Sequence, residues 1–236
     1  MVQSPQQPYS GIDHLEVMAD AKNYNRHLAR LVTADAATGS ALVDFGAGDG
    51  TLATLIADSG FDVTCIEPDA LLTEKLRDKG LQSHASIDTL GQDSVDYLYS
   101  FNVLEHISDD HAACCKLLNC LRPGGRLMIY VPAFQILYSS MDRKVGHYRR
   151  YTRASLAQTL RSAGFSVERT LYVDSLGYLA SLAFKVFGSD AGDISRAAVA
   201  AYDRWLFPAS RVVDSVARVA FGKNVVAYAT KPILER

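Results

Sequence analysis

Tryptophan occurs once in this 236-residue chain and cysteine only four times. Cys65, Cys114, Cys115 and Cys120 include no Cys-x-x-Cys pair, so the usual zinc and dithiol signatures are missing. Cys65 falls in a strand pattern. Cys114 shares a helical face with Leu117, Leu118 and Leu121, the setting of buried, reduced thiols and a cytoplasmic location. No run approaches the ~18 uncharged apolar residues of a membrane span. Residues 1–10 are polar and contain prolines, without the apolar core of a signal peptide. Neither sign of charge dominates: 24 Lys and Arg against 26 Asp and Glu leave a net charge of −2. Nothing global therefore points to nucleic acid as a partner. What remains is an ordinary globular composition, 48% hydrophobic and 21% charged, in a length that suits one domain over residues 1–236.

The chain is organised around Ala41-Leu42-Val43-Asp44-Phe45-Gly46-Ala47-Gly48-Asp49-Gly50. An apolar run ends in an acid, glycines alternate with small residues, and an amphipathic run starts at Thr51. This predicts a buried strand, a tight turn and a helix N-terminus. Gly46 allows a backbone conformation that a Cβ forbids, Gly48 lets a ligand approach the main chain, and Gly50 lets the helix lie close to the strand. The free N–H groups of the helix start favour an anionic group. A dinucleotide fingerprint needs a further glycine at position 51, where Thr51 stands.

Further strands are expected over 61–66, 81–84, 94–100, 126–131, 165–172 and 224–231, with helices over 12–31, 51–59, 69–79, 153–163 and from a Ser108 cap to 121. Alternating strands and helices argue a doubly wound α/β sheet. Glu67, about twenty residues past the glycine loop at a strand end, is placed to accept hydrogen bonds from ribose hydroxyls. The run Asn102-Val103-Leu104-Glu105-His106-Ile107 leaves the next central strand at the same sheet edge.

Together the Gly-x-Gly-x-Gly loop and the Asn-Val-Leu-Glu-His-Ile run resemble the class I S-adenosylmethionine-dependent methyltransferases of the small-molecule type, over about residues 20–172 and 224–231. The resemblance implies a mostly parallel, Rossmann-like seven-stranded sheet with an antiparallel last strand. It implies S-adenosylmethionine as cofactor, held by Asp44, Gly46, Ala47, Gly48, Glu67, Asn102 and Val103, with adenine near Ser86 and Ile87. Asp88 is the nearest acid for the adenine amino group. It also implies that residues 1–35 form a helical lid in which Tyr24 either meets the cofactor or simply packs. Residues 175–222 stand as a helical insertion before the last strand, with helices near 176–187, 195–206 and 211–221. The Pro-Pro motif of amino-methylating nucleic-acid enzymes is absent at Ser100–Val103, and only Glu105 stands where protein arginine methyltransferases pair two acids.

Methyl transfer from a sulfonium is an in-line displacement in which the protein aligns a nucleophile and removes its proton. His106 and His147 are the candidate bases, since imidazole titrates near neutrality. No metal is expected: Asp109, Asp110 and His111 are adjacent but open a helix, where acids are favourable anyway. Arg143, Lys144, Arg149, Arg150 and Arg153 crowd around aromatic residues with only Asp142 opposing them. Tyr148, Arg149 and Arg150 are the expected acceptor site, for an anionic, sugar-linked or lipid-linked small molecule with peripheral membrane contact. A nicotinamide-dependent oxidoreductase and a non-catalytic S-adenosylmethionine-binding module are the competing readings.

Overall fold

The structure, a computed structural model, describes residues 12–187 and 195–233. Residues 1–10, expected to be loose, lie outside them, as do residues 188–194 of the expected insertion. The helices are α1 (Ile12–Ala19), α2 (Lys22–Thr33), α3 (Thr51–Ala57), α4 (Ala70–Asp78), α5 (Asp110–Cys120), α6 (Ser140–Val145), α7 (Arg153–Ser162), α8 (Ser175–Phe187), α9 (Arg196–Ala201) and α10 (Phe207–Ala217). The strands are β1 (Ala41–Phe45), β2 (Asp62–Ile66), β3 (Gln82–His84), β4 (Val95–Phe101), β5 (Leu121–Pro132), β6 (Ser166–Val173) and β7 (Asn224–Thr230). They form one sheet in the order β3-β2-β1-β4-β5-β7-β6. β1 to β5 run parallel to one another, while β7 is antiparallel to both β5 and β6. This is the doubly wound, seven-stranded sheet with an antiparallel last strand that the sequence resemblance implied.

The strands are apolar on both sides because both faces are covered. Leu42 faces a layer with Ile56, Tyr97, Met128 and Phe207, and its neighbour Val43 faces the opposite layer with Leu98, Leu117, Ile129 and Leu160. The first layer is closed by α2, α3 and α10, the second by α5 and α7. The four cysteines are free thiols, three of them buried.

Several boundaries differ from expectation for local reasons. The first helical stretch breaks at Asp20–Ala21, where the Asn25 side-chain amide donates to the carbonyls of Met18 at 2.9 Å and Ala19 at 3.4 Å, closing α1. α5 is capped by Asp109, whose carboxylate accepts from the Ala112 N–H at 2.8 Å, rather than by Ser108. The Arg122–Gly125 bend lies within β5 as a bulge between the Val95–Leu121 and Tyr97–Arg126 pairs. Between β6 and β7 the second and third expected helices merge. A π turn over Tyr202–Leu206 joins α9 to α10. It precedes Pro208, whose missing N–H breaks the regular ladder.

This second half of the chain is fixed by long-range caps. Asp203 accepts from the backbone N–H groups of Asn23 (3.0 Å) and Tyr24 (2.8 Å), satisfying the first turn of α2. Asp214 does the same for α8 through the N–H groups of Asp174 and Ser175, both at 2.8 Å. Two acids of the 196–217 run are thus turned inward and consumed.

Candidate active site

The carboxyl ends of β1, β2, β4 and β5 meet around the glycine loop. Gly46 has φ +80°, and a Cβ there would collide with Val103. The first glycine is therefore required by the Asn102–Ile107 segment packed against it as much as by its own dihedrals. Gly48, at φ +57°, would meet only Leu15 of α1 at 3.4 Å, so α1 covers the approach expected for a ligand. A Cβ on Gly50 would press on Leu76 and Leu81 at 2.6 and 2.9 Å, so its close contact is with α4 and the following turn rather than with the strand.

Glu67 is buried and fastens this loop. Its carboxylate accepts from the N–H of Gly48 at 2.9 Å and of Asp69 at 3.0 Å. Burial raises its pKa, while these two donors oppose the rise. A carboxylate offers about four lone-pair positions, so the expected ribose hydroxyls would share a group already held in place. Asp44 lies between Cys65 and Tyr99 on the neighbouring strands and is 3% exposed. Burial pushes its carboxyl up to about 8, with the Tyr99 hydroxyl opposing and the charge of Glu67 adding. Asn102 sits exposed at φ +53°, an uncommon conformation for a residue with a side chain, and its N–H donates to the Tyr130 carbonyl. Ser86 caps the turn of Ile87–Thr89, Ile87 is buried, and Asp88 is taken by Lys116 at 2.7 Å. Tyr24 packs: its hydroxyl meets that of Tyr130 at 3.1 Å and its ring stands edge-on to Phe207.

The two candidate bases are brought together from segments 41 residues apart. The rings of His106 and His147 lie 4.5 Å apart, edge to face. Burial, then the neighbouring His147, push His106 down to about 4, and its ring also bonds the backbone at Val145 and Gly146. His147 is held by Asp142, with Nδ1 at 2.7 Å from Oδ1, while its Nε2 lies 3.9 Å from Glu105. Arg150 grips the same Asp142 bidentately at 2.8 and 3.0 Å and reaches the Ala133 carbonyl at 3.3 Å. Burial disfavours the Asp142 anion, but the hydrogen bonds from His147 and Arg150 prevail and hold the carboxyl well below its usual range. All three guanidinium nitrogens of Arg150 are engaged, so the expected anion grip of Arg150 is instead an internal brace. Arg149 pairs with Asp110 at 3.0 Å and donates to the Ser108 carbonyl at 2.6 Å. Tyr148 is 61% exposed under the Arg149 guanidinium.

Glu105 was read from sequence only as a lone acid. It is fully buried, both carboxylate oxygens lack a hydrogen-bond partner, and burial pushes it up to about 8. Glu105, His106 and His147 each offer one ligand atom within 4.8 Å of the others, a set that could hold a divalent cation. This is not the Asp109–His111 cluster considered from the sequence, whose acids cap α5 and pair with Tyr151 and Arg149. Asp142 carried one signal, as the single acid in the basic loop. Asp174 carried none. It lies at φ +64° and 1% exposed, with Oδ1 bonded by the Tyr202 hydroxyl and the Gly177 N–H, and Oδ2 unpartnered.

The profile of a methyltransferase domain family matches residues 18–170. A relative from Mycolicibacterium smegmatis, named for S-adenosylmethionine-dependent methyl transfer, is 30% identical over 158 residues, covering 64% of this chain and 62% of its own. The ubiquinone biosynthesis O-methyltransferase of Xylella fastidiosa is 28% identical over 154 residues, covering 56% and 63%. The chain thus spans about three fifths of the length of these curated relatives. Among solved structures, an S-adenosylmethionine-dependent methyltransferase from Thermotoga maritima superposes with a TM-score of 0.62 at 17% identity, over 93% of this chain and 94% of the other. With the glycine loop, the Glu67 clamp and the sheet order in place, the chain belongs to the methyltransferase domain family, as a class I S-adenosylmethionine-dependent methyltransferase domain.

Proposed function

We propose that the protein transfers the methyl group of S-adenosylmethionine to a hydroxyl of a small, lipid-borne acceptor. The observation that carries this reading is the Asp142–His147 pair at 2.7 Å, oriented by Arg150 beside the glycine-loop edge. S-adenosylmethionine, held by the glycine loop and Glu67, would supply an electrophilic methyl carbon whose carbon–sulfur bond breaks as the acceptor oxygen attacks. His147 would take the hydroxyl proton, with S-adenosylhomocysteine as the leaving product. Asp142 fixes the ring and steadies its charge once protonated. The names of the O-methyltransferase relatives agree with a hydroxyl acceptor. An anionic acceptor is not favoured, because Arg149 and Arg150 are already paired.

The test is release of S-adenosylhomocysteine by the purified protein against catechols, prenylated phenols and matched amines. Turnover confined to the amines, or stabilisation by NAD rather than S-adenosylmethionine, would overturn it. Within this reading Glu67→Ala should weaken S-adenosylmethionine on the order of tenfold to several hundredfold, since each charged hydrogen bond contributes about 1.5–3 kcal/mol. Calorimetry showing an unchanged Kd in the folded variant would remove Glu67 from the cofactor site.

Glu105, buried without a hydrogen-bond partner, favours a second reading, in which Glu105, His106 and His147 would hold a divalent cation that would polarise the acceptor hydroxyl. Chelation should then lower turnover at least about tenfold, with recovery on adding back zinc or manganese. Turnover indifferent to chelation assigns proton removal to His147 alone.

A further inference from the structure

The helical run between β6 and β7 presents an unusual outer surface. Arg204, Arg211 and Arg218 recur every seven residues, and Trp205, Val212 and Val219 recur directly beside them. Val212 and Val216, one turn apart on α10, share a face, while Arg204 and Trp205 lie on the π turn before it and Arg218 and Val219 just beyond its end. Trp205 is 67% exposed, Val212 73% and Val219 61%, with Val216 between them at 78%. Large apolar side chains left this open over so long a run form a patch rather than scattered exceptions.

Among the described residues of α2 and of the 196–219 run, the outward-facing charge is of one sign. The acids of the run, Asp203 and Asp214, point inward and cap α2 and α8. α2 contains no acid, and it sets Arg26 and Arg30 across a cleft of about 170 Å³ from Arg211. None of these five arginines takes part in an ion pair among the described residues. The chain as a whole carries −2, so the positive surface is a local arrangement and not a consequence of composition.

We propose that the α2–α10 face docks on a bilayer surface rich in anionic phospholipid. The arginines meet the phosphates, and Trp205 with the valines enters the headgroup boundary. A basic stripe alone would suit any polyanion; the adjoining exposed Trp–Val stripe is what favours lipid. The face also adjoins the site. Tyr202 and Asp203, on the turn that carries Trp205, bond Asp174 at the end of β6 and the N–H of Tyr24. Tyr24 in turn meets Tyr130 on β5. A lipid-borne acceptor would therefore be presented at the sheet edge that holds the glycine loop.

Trp205 is the only tryptophan, so its emission reports this face directly. The full chain is mixed with phosphatidylcholine vesicles with and without phosphatidylglycerol. The expected result is a blue shift with phosphatidylglycerol alone, together with quenching by brominated acyl chains. Arg204→Glu/Arg211→Glu/Arg218→Glu should lower partitioning about 100-fold, and Val212→Ser/Val216→Ser should abolish the quenching. In both variants circular dichroism and S-adenosylmethionine affinity stay unchanged. Unshifted emission overturns the proposal. So does sedimentation with vesicles without quenching, or equally tight binding to duplex DNA or an acidic peptide, which would assign the face to a soluble polyanion. None of these readouts depends on methyl transfer, so their failure is distinct from failure of the proposed activity.

Discussion

Asparagine in place of His147 is expected to lower turnover by about 10²–10⁴-fold, the usual worth of a positioned general base, while S-adenosylmethionine binds with unchanged Kd. The ring stands between Asp142 at 2.7 Å and Glu105 at 3.9 Å, and the glycine-loop contacts do not include it. Asp142→Asn should give a smaller loss, because the ring remains but its orientation and charge are no longer supported by a carboxylate. Arg150→Lys should behave like a weaker Asp142→Asn, since a single ammonium cannot reproduce the bidentate grip. Single-turnover rates and calorimetry separate these effects. If His147→Asn loses cofactor affinity and turnover equally, the ring is packing and not a base. His106 is the contrasting control. Its depressed pKa keeps it neutral at pH 7 and its ring is tied to backbone, so His106→Asn should depress turnover less than His147→Asn.

The largest expected stability effect lies at Asp44. Its folded pKa, raised to about 8, stands above the unfolded value of 3.8. The contribution of this group to stability is therefore fully present below about pH 3.8 and is lost progressively as pH rises through about 8. At 1.36 kcal/mol per pH unit the loss by neutral pH is at most about 4 kcal/mol. Asp44→Asn removes it and should raise the melting temperature of the cofactor-free protein on the order of 10 °C at pH 8, with little gain near pH 4. The measurement is thermal unfolding across that window; parallel pH curves for the two proteins would show that Asp44 ionises normally. The cofactor should reverse the effect. S-adenosylmethionine carries a sulfonium and an ammonium, either of which favours the Asp44 anion. Affinity should therefore increase from pH 6 to pH 8 in the native protein and stay flat in Asp44→Asn.

The fold was readable wherever the information was local. Ala41–Gly50 signals strand, turn and helix through its own apolar run and glycines, and the structure places all three there. Thr152 predicts the start of α7 because its side chain bonds within its own turn, to the Ser155 N–H. Expectations failed where a distant residue decides the local form. Asp203 caps α2 from 180 residues away, Asn25 ends α1 from the next helix, and Pro208 with the π turn fuses two helices that periodicity separates.

The same division runs through the site. The sequence by itself determined that Gly46, Gly48 and Glu67 meet at one sheet edge: they are close in the chain or at a fixed strand-end spacing, and hydrogen-bonding geometry between adjacent strands leaves them few alternatives. It also supplied both histidines and the basic loop. Only the tertiary structure decided what those residues do. It spent Arg149 and Arg150 on Asp110 and Asp142, joined His106 to His147, and left both Glu105 oxygens buried without a hydrogen-bond partner. The physical reason is that a charge is defined by its neighbours. Whether an arginine grips an anion or braces an aspartate depends on which carboxylate folding brings within 3 Å, and that pairing spans loops whose closure no local pattern records.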